Sequence, residues 1–144
     1  MNQSLAGPLL DQVISTIRQS KKLNYDQIRV LYNLVGTLLI EALNLIDTDS
    51  VIRLNCGKDG KRQIYQVLDT ANTTRKDPQL CLLYPRHCSC DHFIRTIVCG
   101  QSSLMCRHIL AAVLFDAMDD RKGTKVMDEE DFAKLLYTWN PRNI

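Results

Sequence analysis

The apolar residues change period along this chain, and each change marks an element. From Leu9 to Ile17 they fall at 9, 10, 13, 14 and 17, the spacing of one helical face. From Ile28 the same steps of three and four run through Leu31, Val35, Leu38, Leu39, Ala42, Leu43 and Ile46. This predicts a second, longer helix that Asp26 caps and that ends near Asp47. Gly36 lies inside it at about 1 kcal/mol relative to alanine, which points either to close helix packing or to simple tolerance. Val51 to Asn55 and Gln63 to Leu68 are β-like, and Gly57-Lys58-Asp59-Gly60 between them supplies two glycines able to take positive φ, so the pair reads as a hairpin.

The polar stretch Asp69 to Pro78 reads as a loop, after which Leu80 to Tyr84 resumes strand character. Phe93, Ile94, Ile97 and Val98 fit a short helix that Gly100 stops, and Ser102 or Ser103 is placed to cap the next one. Ile109 to Phe115 is then apolar without a break. A helix apolar all round must be buried on more than one side, and its cover is either a partner protein or the N-terminal helical part of this chain. Arg121 to Lys125 reads as a linker. Asp128-Glu129-Glu130-Asp131 opens a last helix, its acidic first turn matching the positive end of the helix dipole. Phe132, Leu135, Leu136 and Trp139 form its stripe, for packing or for docking on a partner, and Pro141 prevents much extension.

The expected fold class is therefore α+β: N-terminal helices over residues 1–50, a small antiparallel sheet and a metal-stapled strand–helix unit over 51–119, and a linker with a C-terminal helix over 120–144. At 144 residues with 45% apolar side chains, these parts suit one domain with its own core. No apolar run approaches the ~18 residues of a membrane helix, and the first residues lack the basic start and apolar core of a secretory signal. The expectation is a soluble, intracellular protein with no membrane association.

Net charge is only +2, but the middle of the chain carries it: residues 51–110 hold nine Lys/Arg against four Asp/Glu, whereas the flanking parts are slightly acidic. Such a surplus suits a phosphate backbone, and Lys58, Lys61 and Arg62 are the candidate nucleic-acid contacts. A solvated surface explains the same charges. No dense basic run or interleaved aromatic platform of the kind single-strand binders use is present.

Chemistry concentrates in Cys88, Cys90, Cys106 and His108, which stand as C-x-C-x15-C-x-H. Thiolates and imidazole are the ligands of a tetrahedral structural zinc, and four of them leave no position for water or substrate. In a strand, Cys88 and Cys90 face one side; Cys106 and His108 stand at the entrance of the apolar helix. The competing account is buried thiols or disulfides, and disulfides need an oxidising compartment. His87 should point to the opposite strand face, His92 is the closer rival ligand, Cys99 suits the end of a helical turn, and Cys56 and Cys81 read as core. No cysteine has an evident paired base and no G-x-x-x-x-G-K-[ST] loop is present, so neither a thiol enzyme nor an ATPase is indicated.

The C-x-C-x15-C-x-H pattern resembles the SWIM-type zinc finger, and Ala111 extends it to C-x-H-x-x-A. Upstream, Gly60-Lys61-Arg62-Gln63-Ile64-Tyr65-Gln66-Val67-Leu68 leads through a loop to the first ligand pair. With the helical N-terminal half, this is similar to the small SWIM-domain subunit of the Shu complex, over about residues 60 to 118. The resemblance implies one structural Zn2+ on Cys88, Cys90, Cys106 and His108, and a small Ala111 that lets helix and strand approach. It also implies a non-enzymatic nuclear scaffold that partners a recombinase paralogue in homologous recombination, repair and meiosis, with DNA contact within the complex open and no small-molecule substrate. SWIM fingers of transposase or transcription type, binding DNA directly, are the alternative.

Overall fold

The computed structural model describes residues 3–57, 62–68, 79–83, 86–90, 105–118 and 123–139, with side chains from residue 7 to residue 137. Helix α1 spans Gln3–Ser20 and buries Leu10, Ile14 and Ile17, the stripe its periodicity predicts. Helix α2, Tyr25–Val35, starts two residues earlier than expected because Asn24, not Asp26, is its cap. The Asn24 side-chain oxygen accepts the Gln27 amide at 2.8 Å, and Gln27 Oε1 accepts the Asn24 amide at 2.9 Å, a reciprocal capping box.

The expected long second helix is broken in two. Gly36 takes φ 68° and ψ −141°, a conformation essentially restricted to glycine, and closes α2 through its amide on the Tyr32 carbonyl. Helix α3, Leu38–Asp47, then continues with the same apolar period. A Cβ at Gly36 would meet nothing within 4 Å, so close packing is not what selects glycine there; backbone conformation is.

Strands β1 (Val51–Cys56), β2 (Arg62–Val67), β3 (Gln79–Leu83) and β4 (Arg86–Cys88) form an antiparallel meander. Helix α4 (Arg107–Met118) follows, then β5 (Thr124–Met127) and α5 (Glu129–Trp139). Strand β5 lies parallel to β1, so the sheet is mixed and its order is β4-β3-β2-β1-β5. This corrects the purely antiparallel expectation and turns part of the expected linker, at Thr124 and Lys125, into sheet edge. Gly123 permits the approach: a Cβ on it would stand 2.8 Å from the Val51 carbonyl and 3.0 Å from the Phe115 ring. No helix among the described residues is long and apolar enough to cross a membrane.

Strand alternation divides two cores. Val51, Tyr65, Val67, Cys81, Leu83 and Cys88 face α4 and the N-terminal helices, whereas Leu54, Cys56, Ile64 and Leu80 face α5 through Phe132. Every residue of α4 from His108 to Phe115 is buried. Helices α1 and α3 cover one side and the sheet the other, so this chain supplies the cover that its apolar run demands, and the alternative of a partner sealing that helix does not hold.

At its last turn α4 is held by a buried polar group that the sequence pattern does not announce. Asp116 accepts hydrogen bonds from the Tyr65 hydroxyl at 2.5 Å, from Arg53 at 3.2 Å and from Arg18 at 2.6 Å. Arg53 also donates to the Tyr65 hydroxyl at 3.1 Å and lies over the Tyr65 and Phe115 rings, 5.6 and 5.5 Å from their centres. Burial, followed by the bond to Asp116, pushes the Tyr65 phenol well above its ordinary range and keeps it a donor. A carboxylate near a helix C-terminus is unfavourable to the dipole, and two guanidinium groups offset that. The group ties α1, β1 and β2 to the far end of the helix whose near end carries the cysteine cluster.

Candidate metal centre

The edge strand β4 ends at Cys88, and Cys90 follows two residues on. The sequence pattern shows one strand up to Tyr84, whereas the chain reverses and pairs Arg86–Cys88 back on Leu83–Cys81. That reversal carries Cys88 beneath α4. His87, on the opposite strand face, is exposed and is not part of the cluster, as expected.

Cys106 is the residue immediately before α4. Its carbonyl accepts the Leu110 amide at 3.0 Å, and its sulfur accepts the Ile109 amide at 3.4 Å, the bond that an N-cap side chain makes. A sulfur in that position faces the positive end of the helix dipole, which favours its thiolate form. His108 lies in the first turn, 5% exposed, with Nδ1 3.7 Å from the Cys88 sulfur. Arg107 between them points outward and pairs with Glu41 of α3 at 3.6 Å.

Cys88, Cys90, Cys106 and His108 are all buried, and one ligand atom from each lies within 4.8 Å of all the others. Bond lengths of about 2.3 Å to sulfur and 2.0–2.1 Å to nitrogen place sulfur and nitrogen about 3.6 Å apart on a zinc tetrahedron. The 3.7 Å between Cys88 Sγ and His108 Nδ1 matches that edge. Three sulfurs and one imidazole nitrogen are a closed structural set, and the residues fit one zinc ion. Bound there, zinc supplies a fixed tetrahedral link between β4 and α4.

Without a cation the cluster resists ionisation. The Cys106 thiol is pushed up by its hydrogen bonds to Cys88 and Cys90 and by burial. The Cys88 thiol also sits high: Cys106 pulls it down, but Cys81, Cys90 and burial outweigh that. Thiols held up in this way are protonated at neutral pH, and zinc takes thiolates, so loading must release protons and affinity must rise with pH. Lowering the pH by one unit from neutrality is expected to weaken zinc binding by up to about three orders of magnitude, one for each thiol. Zinc titrations against a chelator of known pH dependence check this, and a pH-independent affinity would refute it.

The five described cysteines are free of disulfides. Cys56 faces α5, away from the cluster, and is core as expected. Cys81 is buried, also as expected, but it faces the cluster rather than a purely apolar core. Ala111, one turn past His108, is fully buried. Arg62 is exposed at the start of β2, whereas Lys58, Lys61, His92, Cys99 and the expected 93–98 helix lie outside the described residues.

A buried Cys3His cluster split between a strand end and a helix entrance, in the C-x-C-x15-C-x-H order, fits the ligand pattern of a SWIM-type zinc finger, and the chain is similar to proteins of that name. The relatives are consistent over most of its length. It is 28% identical over 122 residues to Zinc finger SWIM domain-containing protein 7 of Mus musculus, covering 85% of this chain and 76% of that protein. With the Homo sapiens protein of the same name it shares 26% over 122 residues, covering 85% and 83%. With the Danio rerio protein the figures are 28% over 127 residues, 88% and 86%. No family model and no solved structure matches the chain.

Proposed function

We propose that this protein is a non-enzymatic scaffold subunit of a Shu-type complex, which pairs with a recombinase paralogue in the nucleus and promotes recombinase filament assembly or stability during homologous recombination and meiosis. The observation that carries the reading is the closed metal centre. All four ligand residues are buried beneath α4, so zinc fixes architecture and offers no open coordination position. A domain with its chemistry sealed acts through its surface. Helix α2 presents Tyr25 and Tyr32, seven residues apart and so on one face, with exposures of 74% and 47%, and Ile40 of α3 is also exposed. Aromatic side chains of this kind are common anchors in protein interfaces. ATP handling belongs to the partner in this reading, since this chain has no phosphate-binding loop.

The test is co-expression with a recombinase-paralogue subunit, followed by size-exclusion chromatography. A stable heteromer is expected, weakened by Tyr25→Ala with Tyr32→Ala while zinc content stays at one ion per chain. A zinc-loaded monomer that captures no such subunit would overturn the proposal. Tight, salt-sensitive DNA binding by that monomer, lost with Lys58→Ala, Lys61→Ala and Arg62→Ala, would replace it with a direct DNA reader.

A further inference from the structure

Directly across the β3–β4 ladder from Cys88 stands Cys81. The Ser89 amide donates to the Leu80 carbonyl at 3.1 Å and the Leu80 amide donates to the Ser89 hydroxyl at 3.1 Å, which puts Leu80 and Ser89 at a hydrogen-bonded position of the antiparallel ladder. Such pairs alternate, which makes Cys81 and Cys88 a non-hydrogen-bonded pair, the register in which opposed side chains stand closest. Both residues are fully buried on the face under α4. Their side chains therefore lie side by side on that face, next to the buried ligand cluster. On its other side Cys81 is in register with Tyr65, whose hydroxyl is directed to Asp116. Nothing in the C-x-C-x15-C-x-H pattern includes it.

A cysteine that holds zinc is a thiolate and can only accept hydrogen bonds, whereas a neighbouring thiol can donate one. Groups that hydrogen-bond a metal ligand fix its orientation and tune how firmly it holds the ion. We propose that Cys81 is a positioning residue of the metal centre: its S–H donates to the zinc-bound sulfur of Cys88 across the strand pair, holds that side chain in its ligand geometry and tightens zinc binding. The proposal rests on zinc occupying the cluster, and it extends the site from four residues to five without adding a ligand.

Two variants of the full-length protein separate a donor from a filler of space. Cys81→Ser and Cys81→Ala remove nearly the same volume, but only serine keeps a donor. Zinc affinity is read by competition with a chromophoric chelator. Cys81→Ala is expected to bind zinc about 10-fold or more weakly, and Cys81→Ser to stay within about 3-fold of the native chain. Cys81→Val, which fills the site without a donor, should match the alanine variant and serves in its place should alanine not fold. Native-like affinity in a donor-less variant, or equal weakening by serine and alanine, would overturn the role of Cys81. Failure of the native chain itself to bind zinc would instead remove the metal reading on which the proposal stands.

Discussion

His108→Ala and Cys106→Ser are each expected to release zinc and to lower the melting temperature by about 10 °C or more. The effect is large because metal binding here is also folding free energy: β4 and the first turn of α4 are joined through the ion. When free zinc stands about a thousandfold above its dissociation constant, binding stabilises the native state by about 4 kcal/mol. Domains of this size hold about 5–15 kcal/mol in total, and each kcal/mol shifts the midpoint by about 2–4 °C. Cys56→Ser is the matched control. It changes a buried cysteine of the opposite sheet face, outside the ligand set. It should cost packing but keep one zinc per chain. Thermal unfolding with and without a chelator measures both: chelator should lower the midpoint of the native chain and of Cys56→Ser, and leave the two ligand variants unmoved. A native midpoint indifferent to chelator would contradict the account.

Asp116→Ala is expected to destabilise the fold by about 3–5 kcal/mol, the range for removing one partner of a buried ion pair. Arg53 has a side chain only 7% exposed, and Asp116 is the carboxylate that neutralises it while also accepting the Tyr65 hydroxyl. The loss therefore arises from weaker neutralisation of a buried charge more than from the bond itself. Replacing Arg53 as well, as in Arg53→Met with Asp116→Ala, should recover part of the stability, because the pair then vanishes together. Urea unfolding of the two single variants and the double variant gives the coupling. Zinc content should stay at one ion throughout, since Asp116 lies about 12 Å along α4 from His108, at 1.5 Å per residue. Additive losses in the double variant would show that the pair is not the cause.

The residues of the cluster are legible in the sequence because each pair is local: two cysteines two apart at a strand end, and a cysteine and histidine two apart at a helix start. Joining the pairs requires β4 to fold back beneath α4, and that was not legible. Arg86–Cys88 is too short to show a period, and Leu80 to Tyr84 reads smoothly into it. The same limit hid β5, whose four residues become a strand only where α4 and Gly123 bring them beside β1. Gly36 was visible as a residue but not as a break, because the apolar steps of three and four continue across it. Arg53 and Asp116 are 63 residues apart and share no motif, so a buried ion pair between them follows only from packing. The alternation on β3 turns Cys81 inward, which looks like core, and only the register with Cys88 shows what it faces.

One measurement reaches the centre of this account: elemental analysis of the purified, folded protein, set beside the same analysis of His108→Ala. The closed Cys3His cluster predicts one zinc ion per native chain and a loss of that ion in the variant. Natively folded protein without bound metal, or a variant that keeps its full complement, would contradict it.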